Sequence, residues 1–372
     1  RALGGPVPRR SRRKSPLRAP SEELFAEFYE GSGEREASTT MVFVRMLAAL
    51  MRDRELGRFV VPIVPDEART FGMEALFREF GIHASKGQLY EPVDSESLLY
   101  YKESKDGQIL EEGITEAGAF CSYLAAGTAD ANLGVTTLPF FVFYSMFGLQ
   151  RVGDLVWAAG DARCRGFLVG ATSGRTTLNG EGLQHQDGHS HVLSSVVPNL
   201  VSYDLAYAYE IAVIIREGIR RMHEAEEDVC FYLTVGNETY VQPPMPLGDD
   251  DGASVRDGII RGMYRFRAAS EVEGLRADAS RVHLLGSGAI LNEVVRAQQV
   301  LASDYGVAAD VWSVTSFTEL RRDAIEVERW NRLHPTEQAR IPFVRQRLGE
   351  DARVVVAATD YLKALPDSIA KW

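Results

Sequence analysis

Apolar runs of strand length alternate along this chain with stretches that carry helical periodicity. The runs fall at 59–64, 138–144, 166–171, 199–203 and 228–235. Each is continuous rather than alternating, which is the signature of a strand buried on both faces. Between them lie helix-like segments at 70–80, 115–128, 154–163 and 207–225. In the last, Ile211, Ile214, Ile215 and Ile219 recur on one helical stripe. Strand-helix alternation of this kind predicts an α/β fold built on a doubly wound, mostly parallel sheet.

The segment PPMPLGDDDGAS at 243–254 breaks the pattern with proline, glycine and aspartate. Beyond it, a strand at 281–285, a glycine turn at 286–288, a helix at 290–305 and a strand at 309–314 form one βαβ unit, and a further strand follows at 353–358. The predicted organisation is therefore a basic, Pro-rich linker over 1–39, a first domain over 40–245, a short linker over 246–256 and a thin α/β domain over 257–372. Three strands make a small sheet for such a domain, so the second domain is expected to be truncated.

The 372 residues carry 41 Lys+Arg against 52 Asp+Glu, a net charge of −11. That average hides a split. The first twenty residues hold seven of the cations and no acid, which leaves 34 cations against 52 acids in the rest. So acidic a body excludes general nucleic-acid binding, which needs clustered cations. The basic start reads as a solvated connector more readily than as a binding patch. Cys121, Cys164 and Cys230 are scattered and form no disulfide framework. No apolar run approaches the ~18 residues of a membrane span, and no signal-peptide core follows the basic start. A cytoplasmic location without membrane contact is the expectation.

Several familiar motifs are absent: a nucleophile elbow, a P-loop, paired cysteines of zinc sites and HExxH. Gly286-Ser-Gly288 opens a helix after a strand, but Leu291 stands where a dinucleotide fingerprint needs its third glycine. A tight strand-to-helix turn is the simpler reading. The stretch GATSGRTTLNGEGLQHQDGHSH, 170–191, holds His185, His189 and His191 with Asp187 among them. Three readings stay open: a metal site, a loop whose imidazoles satisfy backbone groups, or a catalytic histidine. Glu116 opens a helix, where the helix dipole alone favours a carboxylate, but a buried acid there also suits proton exchange with a cofactor. Asp66 and Glu67 end a strand at the edge where such sheets bind ligands, although capping explains them equally. The run Phe140, Phe141, Phe143, Tyr144 and Phe147 reads as a buried strand whose far end offers a flat platform to a ring.

Five segments go further: PDEARTFGMEALFREFGI, YYKESKDGQILEEGITEAGA, FYSMFGLQRVGDLVWAAGD, RGFLVGATSGRTTLNGEGLQHQDGHSH and DVWSVTSFTELRRDAIEVERWNRLHP. Together they closely resemble the homodimeric bacterial pyruvate dehydrogenases, the decarboxylating first component of the pyruvate dehydrogenase complex, within the transketolase-like superfamily. The resemblance implies a pyrimidine-binding domain over about 40–245 and a transketolase-type C-terminal domain from about 255 onward. It implies a thiamine diphosphate site shared between two subunits, pyruvate as substrate, and a lipoyl-bearing acyltransferase as partner. Glu116 resembles the glutamate that pairs with the aminopyrimidine nitrogen, and Ile114 the apolar wedge that bends the cofactor. Phe147 looks like the ring stacked on the pyrimidine, with Tyr144 beside it. His185 resembles a catalytic histidine near the substrate, and Asp66 and Glu67 resemble acids lining the same pocket. The segment 86–102 is similar to a mobile loop over the entrance.

The family's Gly-Asp-Gly and Asn-Asn signature is absent; GDL at Gly153 and GDA at Gly160 occur instead, with no Asn-Asn pair. The diphosphate-binding domain, and with it the residues for Mg2+, is therefore expected to lie outside this chain, leaving no metal ligand here. The alternative is an inactive fragment that serves as a dimerisation module.

Overall fold

A computed structural model describes residues 17–66, 68–91, 101–176, 178, 180–272, 275–276, 279–349 and 354–372. Its centre is a six-stranded sheet of β1 (Val60–Val64), β2 (Leu110–Glu111), β3 (Leu138–Tyr144), β4 (Phe167–Ala171), β5 (Leu200–Asp204) and β6 (Cys230–Thr234). The spatial order is β2-β1-β3-β4-β6-β5, with every pair parallel. Both faces are covered, as continuous apolar strands require. Side chains alternate across β3: Phe140 and Val142 enter one core, while Phe141 and Phe143 enter the other. The first core is closed by the helices Thr39–Arg52 and Ala208–Ile219, the second by Glu116–Gly127 and Leu149–Asp161. The isoleucine stripe of Ala208–Ile219 is fully buried, and so is nearly all of that helix, because a second sheet packs on its other side.

That second sheet holds four strands, β7 (Tyr264–Arg267), β8 (Arg281–Gly286), β9 (Ala308–Ser313) and β10 (Val355–Ala358), in the order β7-β9-β8-β10. Sequence pattern predicted three. β7 is a short antiparallel edge strand whose alternating arginines hide its character. The helices Thr39–Arg52 and Phe317–Leu333 were likewise not anticipated; the latter buries only Phe317, Thr318, Leu320 and Ala324 of its seventeen residues.

One correction concerns the start of the chain. Residues expected to be linker up to 39 are part of the packed body: Phe25 and Phe28 are buried in the first core, and Glu36–Ser38 pairs antiparallel with Thr239–Val241. The connector reading is left with the basic segment 1–16, which lies outside the described residues.

A polar seam joins the two sheets. Glu210, fully buried, accepts hydrogen bonds from the backbone N–H groups of Ala206 and Tyr207, from Tyr264 Oη at 2.7 Å and from Ser313 Oγ at 2.6 Å. Asp204, at the end of β5, accepts from Thr234 Oγ1 and from Ser287 Oγ, each at 2.8 Å. Gly288 explains the glycine turn: its φ is +52°, and a Cβ there would stand 2.8 Å from the Asp204 carboxylate. The turn is tight because the other sheet's acid leaves no room for a side chain.

Candidate functional site

In a parallel α/β sheet, ligands gather beyond the carboxyl ends of the strands. Four of the sequence-predicted residues meet there. β3 ends in Tyr144, a short 3-10 turn carries Phe147, and the loop after β4 returns His185 to them. The Tyr144 and Phe147 ring centroids are 5.7 Å apart, and the His185 ring lies 5.1 Å from the first and 5.2 Å from the second. Glu116 opens the helix Glu116–Gly127, capped by the Thr115 hydroxyl, which accepts from Gly118 N. Its carboxylate stands 3.0 Å from an Arg151 guanidinium nitrogen. The carbon at the centre of that guanidinium lies over the Phe147 ring, 4.0 Å from its centroid. Arg151 thus links Glu116 to the three rings.

Ile114, two residues before Glu116, is 80% exposed, and Leu183, in the turn that carries His185, is 82% exposed. Two large apolar side chains flanking a cluster of rings and charges leave an open apolar mouth. His185 Nδ1 stands 3.3 Å from Glu181 Oε2 but out of hydrogen-bond alignment, so this buried nitrogen lacks a hydrogen-bond partner among the described residues.

Asp66 falls elsewhere along the same strand ends, just past β1. Its charge acts on Glu111 at the end of the neighbouring β2, whose carboxyl is pushed above the ordinary carboxylate range by burial and then by Asp66. Glu67 lies outside the described residues, as do 92–100 of the expected entrance loop 86–102.

The three histidines of the glycine-rich loop go to three different places. His185 faces the rings, His189 Nε2 pairs with Gln150 Oε1 at 3.1 Å, and His191 Nε2 pairs with Thr234 Oγ1 at 2.9 Å inside the seam. Burial pulls the His191 pKa down to about 4, so this imidazole is neutral at pH 7. Among the described residues no group of three His, Cys, Asp or Glu side chains is placed to hold a metal ion. The metal reading of 170–191 is therefore not supported by the placement of its imidazoles.

Arg151 and Glu181 were missed from sequence. A weak signal existed for each: Arg151 follows Phe147 by four residues, and Glu181 precedes His185 by four. Cys121 is exposed, while Cys164 and Cys230 are buried; burial pushes the Cys230 thiol up to about 12. Among the described residues no helix is long and apolar enough to cross a membrane.

Residues 19–243 match the family described as pyruvate dehydrogenase E1 component middle domain, and 262–371 match the transketolase-like C-terminal domain. Among curated proteins, the pyruvate dehydrogenase E1 component of Pseudomonas aeruginosa is 54% identical over 100% of this chain and 41% of its own length. That of Cupriavidus necator is 51% identical over 99% and 40%, and that of Escherichia coli 49% over 96% and 39%. The chain thus spans about 40% of the length of the curated relatives it matches. Among solved structures, transketolase from Leishmania mexicana superposes with a TM-score of 0.63 at 14% identity, covering 92% of this chain and 41% of that one. Transketolase from Campylobacter jejuni gives 0.59 at 14%, covering 93% and 44%; at such identity the likeness speaks for the fold. By the middle-domain match and by relatives about half identical across its length, the chain belongs to the pyruvate dehydrogenase E1 component family.

Proposed function

We propose that this chain supplies the pyrimidine-side half of a thiamine diphosphate-dependent pyruvate dehydrogenase site, completed by a diphosphate-binding domain from outside these 372 residues. The observation that carries the reading is the Glu116–Arg151–Phe147 arrangement. A cation already lies over the Phe147 ring beside the Glu116 carboxylate, so the donor, acceptor and aromatic surface suit an aminopyrimidine ring. The described residues fit that half of the cofactor. The diphosphate and its Mg2+ are assigned to the domain outside these residues.

Thiamine diphosphate, when bound, supplies the electron sink for decarboxylation. Glu116 offers its carboxyl oxygen to the pyrimidine ring for proton exchange. Phe147 and Tyr144 orient that ring, and Ile114 at the mouth presses on it from the open side. His185, with Nδ1 turned to Glu181, presents Nε2 to pyruvate as proton donor or acceptor. Asp66, whose charge raises the neighbouring Glu111 carboxyl, lines the approach. The exposed Ile114 and Leu183 are covered by the second subunit of a homodimer. The acetyl unit then passes to a lipoyl group of the partner acyltransferase.

The test is pyruvate decarboxylation by this chain assembled with a diphosphate-binding domain. Glu116→Ala is expected to lower turnover by about 10²- to 10⁴-fold while leaving the fold intact by circular dichroism. Turnover within twofold of the parent would end this reading.

A further inference from the structure

The loop that carries His185 begins at a strained residue. Thr172, a buried β-branched side chain just past β4, has a φ of +53°, a backbone region such residues rarely occupy. Strain of this kind persists only where surrounding contacts over-determine it. Among its described residues the loop has little regular structure of its own between Thr172 and the helix Ser190–Ser194, apart from the single turn Leu183–His185. Something else must hold it.

What holds it comes from the other sheet. Asp360, two residues past β10 and nearly buried, turns its carboxylate to the start of the loop. It accepts from Arg175 N at 2.6 Å, from Thr176 N at 3.1 Å and from Thr176 Oγ1 at 2.9 Å. Its backbone carbonyl accepts from Arg175 Nε at 2.8 Å. The Arg175 side chain lies against Gly188 at the far end of the loop, where a Cβ would stand 2.8 Å from Arg175 Nε. Leu362 N donates to Gly188 O at 2.7 Å, and the Tyr361 ring meets His191 edge-on at 4.7 Å. The segment 359–362 therefore grips both ends of the loop whose middle carries Glu181 and His185.

We infer that Asp360 is a positioning residue: from the C-terminal domain, through Arg175 and Thr176, it sets the placement of His185 against Tyr144 and Phe147. This rests on the proposed role of His185. A carboxylate suits the task because it alone accepts three donors from one loop in charge-assisted hydrogen bonds. Asp360 touches none of the rings and carries no proton to substrate.

Two measurements on Asp360→Ala separate this inference from the reading beneath it. Hydrogen exchange of the full chain is expected to rise about tenfold or more in 173–176 and 180–188, with the six-stranded sheet unchanged. In the assembled enzyme, turnover of pyruvate is expected to fall about 10- to 100-fold, while affinity for thiamine diphosphate stays within twofold, because Glu116 and Phe147 lie outside the loop. Thr176→Val, which removes one of the bonds, gives a smaller change of the same kind and serves if Asp360→Ala fails to fold. Unchanged exchange in the loop, or a rise spread evenly over the whole chain, overturns the inference. If His185→Ala keeps normal turnover, the role of His185 fails instead, and the exchange result still decides whether Asp360 holds the loop.

Discussion

Glu116 and Glu210 both sit in the first turn of a helix beside the same sheet, yet their surroundings are opposite. Glu210 is enclosed, with two backbone and two hydroxyl donors, and burial pushes its carboxyl above the ordinary range against the pull of those bonds. Glu116 reaches the mouth of the site and has one charged partner, Arg151, itself half-exposed. A closed set of bonds leaves nothing for a ligand to do. An open one, balanced by a single partly exposed cation, leaves the carboxylate within reach of a ligand. The seam between the sheets therefore reads as architecture and the mouth as chemistry, and substitution should divide them in the same way.

The largest effect on stability belongs to the seam. Glu210→Ala leaves several buried donors unpaired and is expected to lower unfolding free energy by about 3–5 kcal/mol in urea denaturation. Glu210→Gln, which keeps one carbonyl oxygen, should lose about half as much. A loss below about 1 kcal/mol for Glu210→Ala would break the contrast.

Asp204 gives the next effect, and it depends on pH. Burial pushes its carboxyl up to about 6 from the ordinary 3.8, opposed by hydrogen bonds from Ser287 and Thr234. Between these values the folded chain binds more protons than the unfolded one, so this group's contribution to stability falls as pH rises from about 4 to 6. His191, pulled down to about 4, acts in the other direction: its contribution is present above about 6.5 and is lost as pH falls toward 4. Comparing Asp204→Asn with its parent at each pH removes most of the histidine term. The difference should shift in favour of the variant by about 2.5 kcal/mol between pH 4 and 7. A difference that does not vary with pH would contradict the enclosed state of Asp204.

At the mouth the expected stability effect is small. Phe147→Ala and Arg151→Ala should each change unfolding free energy by about 1 kcal/mol or less, because Arg151 is about half exposed and Phe147 is only partly buried. Phe147→Ala should nevertheless weaken thiamine diphosphate binding by the assembled enzyme about tenfold, read by calorimetry. Equal stability losses at mouth and seam would erase the distinction.

Much of the sheet was legible because its strands are continuous apolar runs: β3 falls where the pattern placed it, and β4, β5 and β6 lie within two residues of it. β7 was not, since Tyr-Arg-Phe-Arg at a sheet edge keeps its charges in solvent. Helix Phe317–Leu333 hid for a related reason, with only a narrow buried stripe. Glu116, Tyr144, Phe147 and His185 were readable through the family's motifs, and the structure brings them together. Asp360 was not readable, because it acts on residues 184 and 185 positions away and only the packing of one sheet on another makes that contact.

The central claim is that this chain holds half of a cofactor site. Calorimetric titration of thiamine diphosphate with Mg2+ into the chain alone, and into the chain with a diphosphate-binding domain supplied, tests it directly. The account predicts no micromolar binding by the chain alone and micromolar binding by the assembly, lost on Glu116→Ala. Micromolar binding by the isolated chain, or binding by the assembly that ignores Glu116, would contradict it.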